Sequence, residues 1–217
     1  MSSNRKQSGF DFGDGVLPSL YFFETDLVGR GYARIAGVDE AGRGPLAGPV
    51  VAGCVILRPG QVIPDVNDSK KLTERERDRL CKTICAEAFD FGVGIVEAGE
   101  IDEINIYQAA RKAMLLAVQD LNILPDFILL DAMSIELDIP QRSLIKGDAR
   151  SASIAAASIV AKTTRDRIMI RYDMEYPEYG FARHKGYGGK THLEALREHG
   201  PCPIHRRSFR GVVNPTA

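Results

Sequence analysis

Ile35-Ala36-Gly37-Val38-Asp39-Glu40-Ala41-Gly42-Arg43-Gly44 carries the strongest chemical signal in the chain. An apolar run delivers two adjacent carboxylates, and a glycine-arginine-glycine turn follows at once. Neighbouring acids at the end of a buried strand repel each other and resist desolvation, and a bound cation relieves both penalties. Two solvated acids at a strand end are the commoner arrangement. The glycines tip the reading the other way, because backbone N–H groups there can approach a ligand closely. The stretch therefore predicts a carboxylate metal site beside a backbone cradle.

Outward from it, Arg34 to Val38 reads as a short strand and Pro49 to Leu57 as a second, rich in β-branched residues. Their glycine-rich link is short, so they are expected to pair as antiparallel neighbours. Arg58 to Asn67 holds Pro59, Gly60 and Pro64 and reads as a loop. Thr73 with Glu76 three residues later is a capping-box signature. Leu80, Cys81, Ile84, Cys85 and Ala88 then mark one helical face. Phe89 to Val96 is a third strand, with Gly92 and Gly94 suggesting a bulge or a close backbone approach.

Glu100 to Asn122 reads as one long helix, and Asp126 to Leu130 as a strand ending at Asp131. Ser143 to Lys146 reads as a short strand ending at Gly147-Asp148. Ser151 to Tyr172 predicts a helix whose small and apolar first half is buried. Tyr176 to Gly189 reads as loop and Thr191 to His199 as a short helix. The order of elements predicts an α/β fold with a mixed central sheet flanked by helices and a helical C-terminal segment. Residues 1 to about 30 read as a loosely structured N-terminal extension anchored by Tyr21-Phe22-Phe23, and 31–217 as a single domain.

The chain has 217 residues, 44% of them hydrophobic, which is ordinary for a globular protein. No apolar run approaches the length of a membrane span, and Met1 to Gly15 lacks the core of a signal peptide. A cytoplasmic protein is expected, with its four cysteines reduced. A zinc site from Cys81, Cys85, Cys202 and His205 is conceivable, but the spacings are unusual for one. Net charge is −1, yet Arg183 to Arg210 holds seven Lys/Arg against two acids, and all four histidines. A basic C-terminal face on an otherwise acidic protein suggests a polyanion held against an acidic centre.

Asp39 with Glu40, Asp131 and Asp148 share one context, the C-terminal end of a predicted strand. Sites in α/β sheets gather at such ends. Carboxylates without a partnering histidine suit hard cations such as Mg²⁺ or Mn²⁺ better than zinc. Each acid taken singly reads more readily as a solvated strand end or a helix cap, and Asp148 in particular could cap the following helix. Their joint placement favours the site. Two rival motifs fail on context. Gly42-Arg43-Gly44-Pro45-Leu46-Ala47 has a dinucleotide-binding spacing but is flanked by Pro45 and Pro49 and followed by a strand, not a helix. Gly188-Gly189-Lys190-Thr191 imitates a phosphate-binding loop, but His184 stands where its first glycine is needed.

With these residues assembled, the chain resembles the ribonuclease HII (type 2 ribonuclease H) family. The resemblance is carried by Gly37-Val38-Asp39-Glu40-Ala41-Gly42-Arg43-Gly44-Pro45, Asp68-Ser69-Lys70-Lys71-Leu72, Asn105-Ile106, Asp131 and Lys146-Gly147-Asp148. It continues through Ala155 to Lys162 with Arg165-Asp166, His184-Lys185-Gly186-Tyr187-Gly188, and His205-Arg206-Arg207-Ser208-Phe209. It implies a ribonuclease H-like fold and a metal-dependent endonuclease acting on RNA/DNA hybrids and on duplex DNA containing single ribonucleotides. It implies Asp39, Glu40, Asp131 and Asp148 as catalytic metal ligands for Mg²⁺ or Mn²⁺. Gly42, Arg43 and Gly44 look like the family's backbone reader of the ribose 2′-hydroxyl, a group that only RNA offers. Tyr187 matches the tyrosine next to that sugar.

Ser69, Lys70, Lys162 and Lys185 are further expected substrate contacts. Lys71, Lys146, Arg206 and Arg207 join Lys70, Lys162 and Lys185 as candidates for phosphate contacts, which position a duplex rather than read it. One departure is visible: the family usually has threonine where this chain has Gly189, so a hydroxyl is missing just past Tyr187. Two other classes remain, a nucleic-acid-binding module without catalysis and a metal-dependent nuclease or phosphatase of another substrate. The four acids argue against the first, and the sugar reader with Tyr187 against the second. A monomer is expected, with no membrane association.

Overall fold

The computed structural model describes residues 19–66 and 72–212. Its central element is strand β1 (Ile35–Ala41), flanked by β2 (Val50–Ile56) on one side and β4 (Phe127–Asp131) on the other. β3 (Asp90–Val96) and β5 (Gln141–Leu144) complete a five-stranded sheet of order β3-β2-β1-β4-β5. The β1–β2 and β2–β3 pairs are antiparallel, as their short connection predicts for the first, and β1–β4 and β4–β5 are parallel. Parallel pairing of β1 with β4 brings their C-terminal ends to the same edge of the sheet. Val38 faces Leu130 in the register, so Asp39 and Asp131 follow side by side.

Side chains alternate between the two faces of the sheet. One face, through Ala36, Val38, Ala52, Cys54, Ile128 and Leu130, packs on helix α4 (Ile106–Gln119) by Ala110, Ala113, Met114 and Ala117. The other face meets helix α5 (Ala152–Glu175), whose Ala155, Ala156, Ala157 and Ile159 are fully buried. That contact is very close. A Cβ at Gly37 would sit 2.0 Å from the Ser153 carbonyl carbon, and one at Gly53 2.4 Å from the Ala157 oxygen. Small residues on both sides let the helix backbone lie almost on the strands, so α5 fixes the end of β1 rigidly.

Helix α2 (Glu74–Glu87) carries the predicted capping box: Thr73 and Glu76 satisfy each other's backbone N–H groups. The single helix expected from Glu100 to Asn122 is two, α3 (Ala98–Ile104) and α4. Asn105 breaks it with a φ of 67°, and its side-chain oxygen accepts from the N–H groups of Tyr107 and Gln108. Strand β5 lies two residues earlier than expected, and Ser151, not Asp148, caps α5. The segment expected as loop after Tyr176 contains a 3₁₀ turn at Pro177–Tyr179 and helix α6 (Phe181–His184) before α7 (Lys190–His199).

The expected loose extension also differs where it is described. Phe22–Gly29 is a helix, α1, whose Phe23 and Leu27 are buried with Ile35, Leu129, Leu144 and Ile154. Glu24 fastens it by accepting from Ser151 and Ser153. A separate apolar cluster, Met169, Tyr179, Phe181, Leu196, Cys202 and Ile204, packs the C-terminal segment against Ala47. Among the described residues no helix is long and apolar enough to cross a membrane.

Candidate active site

The end of β1 opens into a cleft of about 430 Å³ lined by Asp39, Glu40, Gly42, Arg43, Gly44, Arg77, Asp131, Ser158, Lys162 and Tyr187. Three of the four acids singled out in the sequence therefore share one wall. Asp39 is 4% exposed, and its Oδ1 accepts from the Glu40 N–H at 2.8 Å. The Ser158 hydroxyl, on α5, also donates to it. Burial, then the charges of Glu40 and Asp131, push the Asp39 carboxyl well above its usual range. Burial likewise raises Glu40; the Arg43 guanidinium, 3.4 Å from Glu40 Oε1, pulls back and Asp131 adds to the rise.

Asp131 Oδ1 accepts from the Gly147 N–H at 2.7 Å, tying the end of β4 to the 3₁₀ turn Gly147–Ala149. Asp148 lies in that turn, 4% exposed, one residue beyond the tie. It is not among the residues lining the cleft. Among the described residues, no three acidic, histidine or cysteine side chains gather closely enough to enclose an ion by themselves. The wall is thus an open shell, of the kind that leaves positions for water and phosphate oxygens. That suits Mg²⁺-like cations, which keep several waters and use few protein carboxylates. Among the described residues Glu40 Oε2 is buried with no hydrogen-bond partner, an acceptor that a cation would satisfy. The residues present fit such an ion.

Gly42 has a φ of 98°, and a Cβ there would strike the Arg165 side chain at 2.1 Å and the Pro49 carbonyl at 2.8 Å. Glycine is required by both backbone and space. Gly44 is different: a Cβ would meet only the Tyr187 ring, at 3.7 Å. The turn and the tyrosine are therefore neighbours, and the Tyr187 ring is half exposed to the cleft. On the rim, buried Asp166 holds Lys162 at 2.6 Å and Arg77 at 3.5 Å.

Other sequence candidates fall elsewhere. Ser69, Lys70 and Lys71 lie outside the described residues. Lys185 is turned to the Ala182 carbonyl, with Glu74 at 3.8 Å, and does not line the cleft. Lys146 and Arg207 are exposed. Arg206 is 0% exposed, so it cannot meet a phosphate from its position. Its guanidinium is occupied by backbone carbonyls instead. The zinc grouping separates: Cys81 packs in the cluster beneath α2 and α5, whereas Cys202 packs with Tyr179 and Phe181.

Arg77, Ser158 and Arg165 were not singled out for roles from the sequence. For the two on α5 the signal is periodic, since Ser158, Lys162 and Arg165 stand four and three apart on one side of that helix; Arg77, on α2, has no part in it.

The family model described as Ribonuclease HII matches residues 36–212. A ribonuclease HII of Bacillus licheniformis is 58% identical over 190 residues, spanning 88% of this chain and 74% of that protein. The crystal structure of the ribonuclease H2 from Pyrococcus horikoshii OT3 superposes with a TM-score of 0.74 at 29% identity, over 82% of this chain and 95% of that one. A Bst-RNase HIII in complex with Mn²⁺, 17% identical, shares the fold at a TM-score of 0.63, over 83% of this chain and 68% of that one. With the family model matched over residues 36–212 and a curated relative 58% identical over 88% of this chain, the chain belongs to the ribonuclease HII family.

Proposed function

We propose that the chain is a divalent-cation-dependent ribonuclease H that cuts RNA in RNA/DNA hybrids and incises duplex DNA on the 5′ side of a single embedded ribonucleotide. The cut leaves 3′-hydroxyl and 5′-phosphate ends. Family membership carries the endonucleolytic ribonuclease H activity. The observation that carries the finer reading is that Asp39, Glu40, Asp131, the Gly42–Gly44 turn and Tyr187 line one cleft.

Asp39, Glu40 and Asp131 would hold the cation, with Asp148 completing the set from the adjacent turn. When bound, Mg²⁺ or Mn²⁺ would supply charge neutralisation at the scissile phosphate and activate a water. The protein's own contribution is orientation. The Glu40 N–H and the Ser158 hydroxyl fix the Asp39 carboxylate, and the Gly147 N–H fixes that of Asp131. Backbone N–H groups of the turn would meet the 2′-hydroxyl, and the Tyr187 ring would stack on the neighbouring sugar. Lys162 and Arg77, held as a pair by Asp166, would meet phosphate oxygens and set the register of the duplex.

A DNA duplex with one ribonucleotide, incubated with Mg²⁺ or Mn²⁺, is the test. A single incision 5′ of the ribonucleotide is expected, and Asp39→Asn should abolish it. An intact wild-type substrate would overturn the reading, and cleavage surviving Asp39→Asn would overturn the site.

A further inference from the structure

Two arginines are buried without a direct ion pair among the described residues, although Asp166 favours the charge of Arg165 and Asp102 that of Arg206 from farther away. Arg165 and Arg206 are each 0% exposed. Arg165 donates from Nε to the Pro49 carbonyl at 2.9 Å, from Nη1 to Lys185 at 3.0 Å and from Nη2 to Ala47 at 3.1 Å. Arg206 donates from Nε to Gly48 at 2.9 Å, from Nη1 to Arg43 at 3.0 Å and from Nη2 to Gly42 at 2.6 Å. Burial pulls Arg165 down to about 10, and burial with the charge of Arg165 pulls Arg206 down to about 9; both stay charged at neutral pH.

Burying two like charges is costly, and an apolar filling would avoid that cost but leave six backbone carbonyls without donors. What the guanidinium forks uniquely supply is fixed direction. A peptide unit is planar and trans, so its N–H points opposite to its C=O. By taking the carbonyls of Gly42 and Arg43, Arg206 turns the N–H groups of Arg43 and Gly44 away from itself. Neither of those N–H groups has a backbone partner among the described residues. They are the donors of the proposed sugar reader.

The residue next to Arg206 acts on the other half of the reader. His205 Nδ1 accepts from the Cys202 N–H at 3.0 Å, which places the His205 proton on Nε2. That proton is donated to His192 Nε2 at 2.9 Å. His192 must then be protonated on Nδ1, which donates to the Tyr187 carbonyl at 3.0 Å. Only this assignment of tautomers satisfies the chain of bonds.

We propose that Arg206, with Arg165, and His205, acting through His192, are positioning residues that jointly set the Gly42–Gly44 turn and Tyr187 against one another. Adjacent residues of one segment thus tie the two halves of the reader, which come from distant parts of the chain. The Leu46–Gly186 and Arg206–Leu46 backbone bonds, both 2.8–2.9 Å, close the frame. The inference rests on the reading of that turn and of Tyr187 as the ribose contact.

Full-length wild type, Arg206→Lys, His192→Asn and Gly44→Ala are compared on the one-ribonucleotide duplex. Arg206→Lys keeps the charge and loses the fork. His192→Asn keeps a donor near the Tyr187 carbonyl and breaks the link to His205. Both should lower kcat roughly tenfold to a hundredfold with KM nearly unchanged, since misplacement spares phosphate binding. Binding of Mn²⁺ alone, read by calorimetry, should not change. Hydrogen exchange in peptides covering 42–48 and 185–190 should quicken in both. Gly44→Ala tests the underlying reading: a methyl that the protein tolerates should still block the sugar. If Gly44→Ala keeps wild-type kcat, the reader itself is misassigned. If Gly44→Ala loses activity while folded Arg206→Lys and His192→Asn do not, the clamp is refuted. Unfolding of both clamp variants at assay temperature would mark these residues as folding elements and equally overturn a positioning role.

Discussion

Asp39 shows how far a single side chain is bent to its task. Its carboxylate is nearly inaccessible, two further carboxylates face it, and its proton affinity is raised by burial first and by those neighbours second. Glu40 adds an acceptor oxygen that no donor among the described residues reaches. Without a cation, the folded state holds charge that the unfolded chain would solvate better. Activity and stability therefore pull in opposite directions at this position. Asp39→Asn removes one charge and keeps an oxygen for the Glu40 N–H and the Ser158 hydroxyl. In metal-free buffer its stability should rise by about 1–2 kcal/mol while its activity disappears. Thermal melting in chelator checks this, and a melting temperature below wild type would show that the carboxylates are not in conflict.

At the scale of elements, the site depends on helices meeting strands and turns at close range. The backbone of α5 lies over Gly37 and Gly53, which brings Ser158 to Asp39 and Lys162 to the rim. α7 begins directly after Tyr187, with Gly189 as its N-cap and no side-chain cap bond. Gly189 has a φ of −74° and a ψ of 169°, and a Cβ there would meet nothing within 4 Å. A threonine fits that backbone and could accept from the exposed N–H groups of the first turn. Gly189→Thr should stabilise the protein by about 0.5–1 kcal/mol, from a stiffer unfolded chain and a better cap. Denaturant titration reads it, and a loss of stability would mean that the loop needs glycine.

β1 and β4 were legible because their apolar runs end in acids, β2 because it is rich in β-branched residues, and the capping box at Thr73 because its signature is local. The break at Asn105 was missed because both flanking segments keep helical periodicity. The clamp was hidden for a deeper reason. Arg165 and Arg206 donate to backbone carbonyls, and His205 accepts from a backbone N–H and bonds to His192 thirteen residues away, partners that carry no sequence signature, so a buried arginine reads like a surface one.

Across the whole molecule, the carboxylate wall belongs to the sheet, whereas the proposed sugar reader, the Gly42–Gly44 turn with Tyr187, is bonded to the C-terminal segment through Arg206 and His192. The two parts answer oppositely to acid. Burial lowers His192 to about 4; for His205, burial and then the neighbouring His192 lower it to about 4. His184 stacks on His192 at 4.5 Å, and Tyr179, Cys202 and Arg207 surround His205. Because the folded-state values are depressed, the unfolded chain binds more protons between about 6.5 and about 4. The neutral pair's contribution is complete above about pH 6.5 and is lost as pH falls through about 4. Asp39 and Glu40, whose values are raised, act with the opposite sign, so the melting curve of the wild type alone mixes the two.

His192→Asn separates them, because the carboxylates are common to both proteins and cancel in the difference. At pH 7, metal-free wild type should melt above the variant. Toward pH 5 that gap should shrink by roughly 2–4 °C, taking the histidine loss at about 1 kcal/mol after discounting for solvent. Differential scanning at both pH values measures it. A gap that stays constant would mean that His192 binds protons alike in the folded and the unfolded chain, so that its burial does not hold it neutral.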